Sequence, residues 1–162
     1  MKWILISLFS ASLSMAAADV TCWDGDCLNN GWTWSHSSGV TNDYGCYRDG
    51  CRKDGWIIKG LGRSTYTQCK SGGCFNEGWY EVNQENQNML RNVVCRDSEN
   101  ESSGKSCLKN GWVTYSQNGQ ERVVSCHGSD CEKKGWLIQT NYQMIQVYCK
   151  KGGCFTSGWN EM

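Results

Sequence analysis

Cys126-His127-Gly128-Ser129-Asp130-Cys131-Glu132-Lys133-Lys134-Gly135-Trp136 is one of six stretches built on a single plan, Cys-x4-Cys-x3-Gly-Trp. The other copies begin at Cys22, Cys46, Cys69, Cys95 and Cys149 and run into Gly31-Trp32, Gly55-Trp56, Gly78-Trp79, Gly111-Trp112 and Gly158-Trp159. One copy departs, with eleven residues between Cys95 and Cys107. No cysteine lies outside the plan, and an even, dense set of this kind reads as a disulfide framework made in an oxidising compartment.

The residues inside each cysteine pair are turn formers, such as Asp24-Gly25-Asp26, Arg48-Asp49-Gly50 and Ser71-Gly72-Gly73. A tight turn can bring two sulfurs five residues apart within bonding range. The simplest pairing is therefore local: Cys22–Cys27, Cys46–Cys51, Cys69–Cys74, Cys95–Cys107, Cys126–Cys131 and Cys149–Cys154. A second pairing joins successive copies, as in Cys27–Cys46 and Cys51–Cys69, and spacing alone leaves both open. The glycine before each tryptophan supplies a bend that turns the ring inward. Leu, Ile and Val are scarce beyond the first residues, so the indoles and disulfides are expected to form the core.

The six copies form a triplet used twice. A shift of 80 residues maps Cys27 onto Cys107, Trp32 onto Trp112, Cys51 onto Cys131 and Cys74 onto Cys154. A repeat of this quality implies two tandem duplicated modules, residues 19–82 and 89–162, with 83–88 as a linker or long turn between them. The segments between copies read as hairpins. Trp112–Tyr115 and Glu121–Cys126 flank Asn118-Gly119, whose residues both tolerate positive φ. Trp136–Ile138 with Met144–Cys149, and Trp56–Ile58 with Thr65–Cys69, repeat the pattern. Val20–Cys22 and Val93–Cys95 read as the opening strand of each module. The predicted fold is all-β, small disulfide-rich hairpin repeats with about six short strands per module. The longest helix expected is one turn after a second cysteine, ending at the glycine before the tryptophan.

Lys2, the apolar stretch Trp3–Leu13 and Ala16-Ala17-Ala18 read as an export signal over residues 1–18. That stretch is too short to span a bilayer, and nothing later resembles a transmembrane segment. Lys plus Arg and Asp plus Glu number 16 each, so the charge balance excludes an electrostatic case for nucleic acid. Asn100-Glu101-Ser102 is a glycosylation sequon in a polar loop.

Catalytic signatures are missing. His36 and His127, the two histidines, fall at different points of the repeat, and neither belongs to a nucleophile–base arrangement. Exported cysteines oxidise rather than hold zinc, so no metal and no cofactor is expected. Trp23 and Trp34 lie outside the repeat, with Arg96 and Thr114 in their places in the second module, and are the candidates for a surface contact. The chain is expected not to be an enzyme.

The exported, duplicated Cys-x4-Cys-x3-Gly-Trp array, from Cys22 to Trp159, resembles the small cysteine-rich accessory subunits of the bacterial type IVB (Dot/Icm) secretion machine, in its outer-membrane core complex. The resemblance implies a scaffold subunit that docks on protein partners in an envelope complex, in the periplasm or on the outer membrane, and performs no chemistry. In that reading edge strands and loops meet the neighbouring subunits. The alternative is a secreted carbohydrate- or cell-wall-binding module, or small effector, whose exposed tryptophans contact glycan or peptidoglycan.

Overall fold

A computed structural model of the chain describes residues 18–60, 63–98 and 104–162. Most of the expected export signal lies outside the described residues, as does the sequon. Ala18, assigned to that signal, is the buried first residue of β1.

The described residues form twelve strands. They are β1 (Ala18–Cys22), β2 (Gly31–His36), β3 (Thr41–Cys46), β4 (Trp56–Gly60), β5 (Arg63–Cys69) and β6 (Gly78–Asn83). The second half supplies β7 (Met89–Cys95), β8 (Trp112–Ser116), β9 (Glu121–Cys126), β10 (Trp136–Gln139), β11 (Met144–Cys149) and β12 (Trp159–Glu161). Every strand is antiparallel to its neighbours in sequence, and β1 pairs with β12, closing one barrel. The all-β hairpin reading therefore holds. The two duplicated halves contribute six strands each to this one sheet, and residues 84–88 are the turn between the paired strands β6 and β7.

All six disulfides are local, and no cysteine is free. Each joins the last residue of an odd-numbered strand to a turn that leads into the next strand, so all six lie at one end of the barrel. In four of them the second cysteine opens a single helical turn: α1 (Cys74–Glu77), α2 (Cys107–Asn110), α3 (Cys131–Lys134) and α4 (Cys154–Ser157). A glycine ends each turn, as expected. Asp130 caps α3 by accepting from the Lys133 amide at 3.0 Å, and Asp26 does the same for the Leu28 and Asn29 amides. The hairpin turns and both described termini lie at the opposite end. The Asn118-Gly119 turn differs from expectation in one respect: only Gly119 takes positive φ, at 77°. Ser116 and Gln120 close a three-residue loop around it, the type I turn plus left-handed residue that Gly favours.

A twelve-stranded barrel is wider than aliphatic side chains fill, and here six indoles close the gap. Trp32, Trp56, Trp79, Trp112, Trp136 and Trp159 point inward and form a closed ring. Successive ring centroids are 5.5, 5.1, 6.1, 5.6, 5.2 and 6.2 Å apart, all in tilted or edge-on geometry. One rung further from the disulfides, Val20, Val93, Val124 and Val147 are buried against the ring, with Thr67 and Tyr44 at the two remaining places. On the disulfide side the barrel is plugged by Phe75 and Phe155, whose rings are 5.8 Å apart and lie over Trp56 and Trp136 respectively. These pairs are related by the shift of 80. So are Arg52 and Glu132, which meet across the same approximate two-fold at 3.7 Å.

The bend at each Gly-Trp is a steric requirement. Gly158 sits at φ 94°, and a β-carbon there would collide with the Val20 carbonyl oxygen across the β1–β12 seam. Gly39 also has positive φ, 87°, but nothing lies within 4 Å of its would-be β-carbon. Gly158→Ala should therefore cost roughly 2–6 kcal/mol, combining backbone strain with overpacking, and Gly39→Ala only about 1 kcal/mol. Urea unfolding of the two variants checks this; equal midpoints would contradict it.

No described helix is long and apolar enough to cross a membrane. The strands are three to seven residues long, and Asp43, Lys59 and Glu121 are exposed on the outer surface. A membrane-spanning barrel needs about 9–11 residues per strand and an apolar outer band.

Candidate functional site: the open mouth of the barrel

Above the tryptophan and valine rungs the barrel opens into a cup of about 570 Å³ at the hairpin end. Strand alternation decides its lining, because residues two apart share a face. The position two residues after each ring tryptophan faces the lumen: Trp34, Ile58, Glu81, Thr114, Ile138 and Glu161, of which Ile58, Glu81 and Thr114 line the cup. This rung breaks the symmetry. Trp34 fills its side of the lumen, whereas Thr114, its counterpart after the shift of 80, leaves the facing side hollow. Thr65 and Ser116 also line the hollow.

The charged groups of the cup are partly neutralised. Glu81 and Arg91 face each other across β6 and β7 and form an ion pair at 3.1 Å. The Glu161 carboxylate accepts from two indoles, Trp34 Nε1 and Trp159 Nε1, each at 3.3 Å. The Tyr44 ring stacks on Trp32 with centroids 4.9 Å apart. Burial, then the charges of Glu81 and Glu161, push its hydroxyl up to about 12, with Arg91 opposing. Tyr44 is therefore a neutral hydroxyl at any physiological pH. Arg122, opposite Thr114 on β9, has no hydrogen-bond or ion-pair partner among the described residues.

The sequence candidates are placed apart. Trp34 lies inside the lumen, stacked on His36 with centroids 5.6 Å apart and bonded to Glu161. It is a lumen residue rather than an outer contact. Its separation of two from Trp32 was the available signal. Trp23 lies outside, half-buried over Gly31 and Gly45, with Nε1 donating to Thr33 Oγ1 at 2.9 Å. His36 is at the mouth, while His127 follows Cys126 at the disulfide end and stacks on Tyr148. The topology therefore holds the two histidines at opposite ends. The twelve cysteines, all in disulfides, offer no thiolate to a metal.

The outer wall carries a second feature, which sequence reading missed. Tyr80, Asn92 and Tyr115 are register partners across β6, β7 and β8 and form an outward row. Both tyrosines are exposed, and Asn92 Oδ1 is buried between the strands with no partner. Lys70 Nζ lies 4.9 Å from the Tyr80 ring centroid and donates to the Val93 carbonyl at 2.8 Å. Burial lowers its pKa, against the opposing pull of Glu77. Because the barrel is closed, no strand edge is open among the described strands, so contacts fall to such faces and to the loops.

No protein-family model matches the chain, and neither a curated protein nor a solved structure is significantly similar to it.

Proposed function

We propose that this chain is a non-enzymatic interaction protein of the bacterial envelope, an accessory scaffold subunit of a secretion assembly of the type IVB kind it resembles. Six disulfides in a chain of this size belong to a protein folded outside the reducing cytosol; the periplasm is the compartment the reading assigns. The observation that carries the reading is the outward Tyr80–Asn92–Tyr115 row. Tyrosine is enriched at protein interfaces, where it combines large contact area with a polar tip. Asn92, half-buried between the two rings, completes a continuous face with the tyrosines across three adjacent strands. Sugar binding through exposed repeat tryptophans is less well supported, because five of the six are 8 % exposed or less.

The test is affinity purification of the tagged chain from its native cell envelope, followed by mass spectrometry. The wild type should recover a constant set of larger envelope proteins. The Tyr80→Ala/Tyr115→Ala variant should lose at least about tenfold of that recovery, as expected for hot-spot residues worth roughly 2 kcal/mol, while keeping its thermal midpoint. Recovery that is absent in the wild type, or unchanged in the variant, would sink the reading.

A further inference from the structure

We propose that the cup at the open end of the barrel is a binding site for a small, singly charged acidic sugar of the uronic acid type. This site lies in the lumen, away from the outer tyrosine row, and stands independently of the docking reading. Three observations carry it.

The first is shape. An open cavity of about 570 Å³ falls in the range of roughly 300–1,000 Å³ typical of small-molecule sites. The hollow is specific to one side, because Trp34 occupies on β2 the space that Thr114 leaves open on β8. The barrel does not need this void for its own closure, since the tryptophan ring and the plug beyond it already seal the core.

The second is charge. Arg91 is committed to Glu81 at 3.1 Å, and Glu161 is held by two indole N–H groups on the far wall. Arg122, an exposed side chain lining the cup, is the one left uncommitted. Its planar fork matches a carboxylate in two parallel hydrogen bonds. One free guanidinium suits a single negative charge better than a doubly charged phosphate.

The third is the polar lining. Thr65, Thr114 and Ser116 present hydroxyls, Asn42 presents an amide, and Tyr44 presents a neutral hydroxyl. The Glu81–Arg91 pair adds an acceptor and a donor side by side, suited to neighbouring hydroxyls on one ring. Apolar ligands would leave these groups unsatisfied once water was expelled, which discriminates strongly against them. Polyhydroxylated ligands satisfy them.

The experiment is calorimetric and NMR titration of the oxidised protein with D-galacturonate, D-galactose and acetate. Galacturonate should bind saturably and shift the amide signals of Thr114, Ser116 and Arg122. Galactose, which lacks the carboxylate, and acetate, which lacks the ring hydroxyls, should each bind at least tenfold more weakly. Arg122→Gln should weaken galacturonate at least tenfold and leave galactose unchanged. Thr114→Trp, which installs the residue that the first module carries, should abolish binding of both sugars. The thermal midpoint of each variant confirms that it is folded. Absence of saturable galacturonate binding overturns the proposal, as does equal binding of galactose. Unchanged affinity in Arg122→Gln, or full binding in folded Thr114→Trp, also overturns it.

Discussion

With all twelve thiols reduced and alkylated, the chain will be unfolded at room temperature, without near-ultraviolet tryptophan ellipticity or a cooperative transition in urea. Five of the six disulfides span a sequence separation of 5, and Cys95–Cys107 spans 12. On the chain-entropy model each short loop stabilises by roughly 2 kcal/mol and the longer one by nearer 3 kcal/mol. Together, at about 13 kcal/mol, they are comparable to the usual net stability of about 5–15 kcal/mol. Little else is available to hold the disulfide end. The second cysteines are completely buried there and anchor the turns that carry Leu28, Phe75, Leu108 and Phe155 into the plug. The backbone depends on the same turns, since the Cys27 amide donates to the Phe155 carbonyl at 2.9 Å and the Cys51 amide to the Leu28 carbonyl at 2.8 Å. A fully alkylated chain that keeps its native near-ultraviolet spectrum and still melts cooperatively would refute this account.

Trp136→Ala should cost roughly 3–5 kcal/mol, the range for truncating a buried large aromatic. That corresponds to a fall of about 6–20 °C in thermal midpoint for a chain of this size. Trp136 is 5 % exposed and touches both ring neighbours, with centroids at 5.6 Å from Trp112 and 5.2 Å from Trp159. It also supports the plug through Phe155 at 6.3 Å. Removing one indole therefore opens a void at the level where the barrel is widest relative to its filling, and antiparallel strands pinned by disulfides cannot move in to fill it. Tyr142→Ala is the control. Tyr142 is 89 % exposed on the β10–β11 turn, and its loss should stay within about 0.5 kcal/mol. Differential scanning calorimetry of both variants under oxidising conditions distinguishes them, and similar midpoints would remove the tryptophan ring as the principal source of cohesion.

Part of the candidate site was readable before the fold. The departure of Trp34 from the repeat, with Thr114 at the matching position, marked the place where the symmetry of the lumen fails. Its spacing of two from Trp32 is the pattern that turns it inward, where a surface contact was expected. The role of Arg122 was not readable, because its isolation depends on which charges face it across the barrel. Glu81 reaches Arg91 through one strand pairing, and Glu161 reaches Trp34 only because β12 returns to lie beside β1. The outward tyrosine row was hidden for a related reason. Tyr80 and Tyr115 are far apart in the chain and become neighbours through β7 alone.

What the amino-acid sequence settled by itself were the local units. Turn-forming residues between paired cysteines, glycine at a position with no room for a β-carbon, and a tryptophan opening each following strand are short-range constraints. They act within about a dozen residues and leave their spacing in the chain. The tertiary structure decided how the units join. Closure of twelve strands into one barrel rests on the β1–β12 pairing between the two ends of the described chain, which no local pattern encodes. Six inward indoles at equal height complete a ring only when all six units share one axis. The duplicated halves therefore share one core, and the space left above it is the cup.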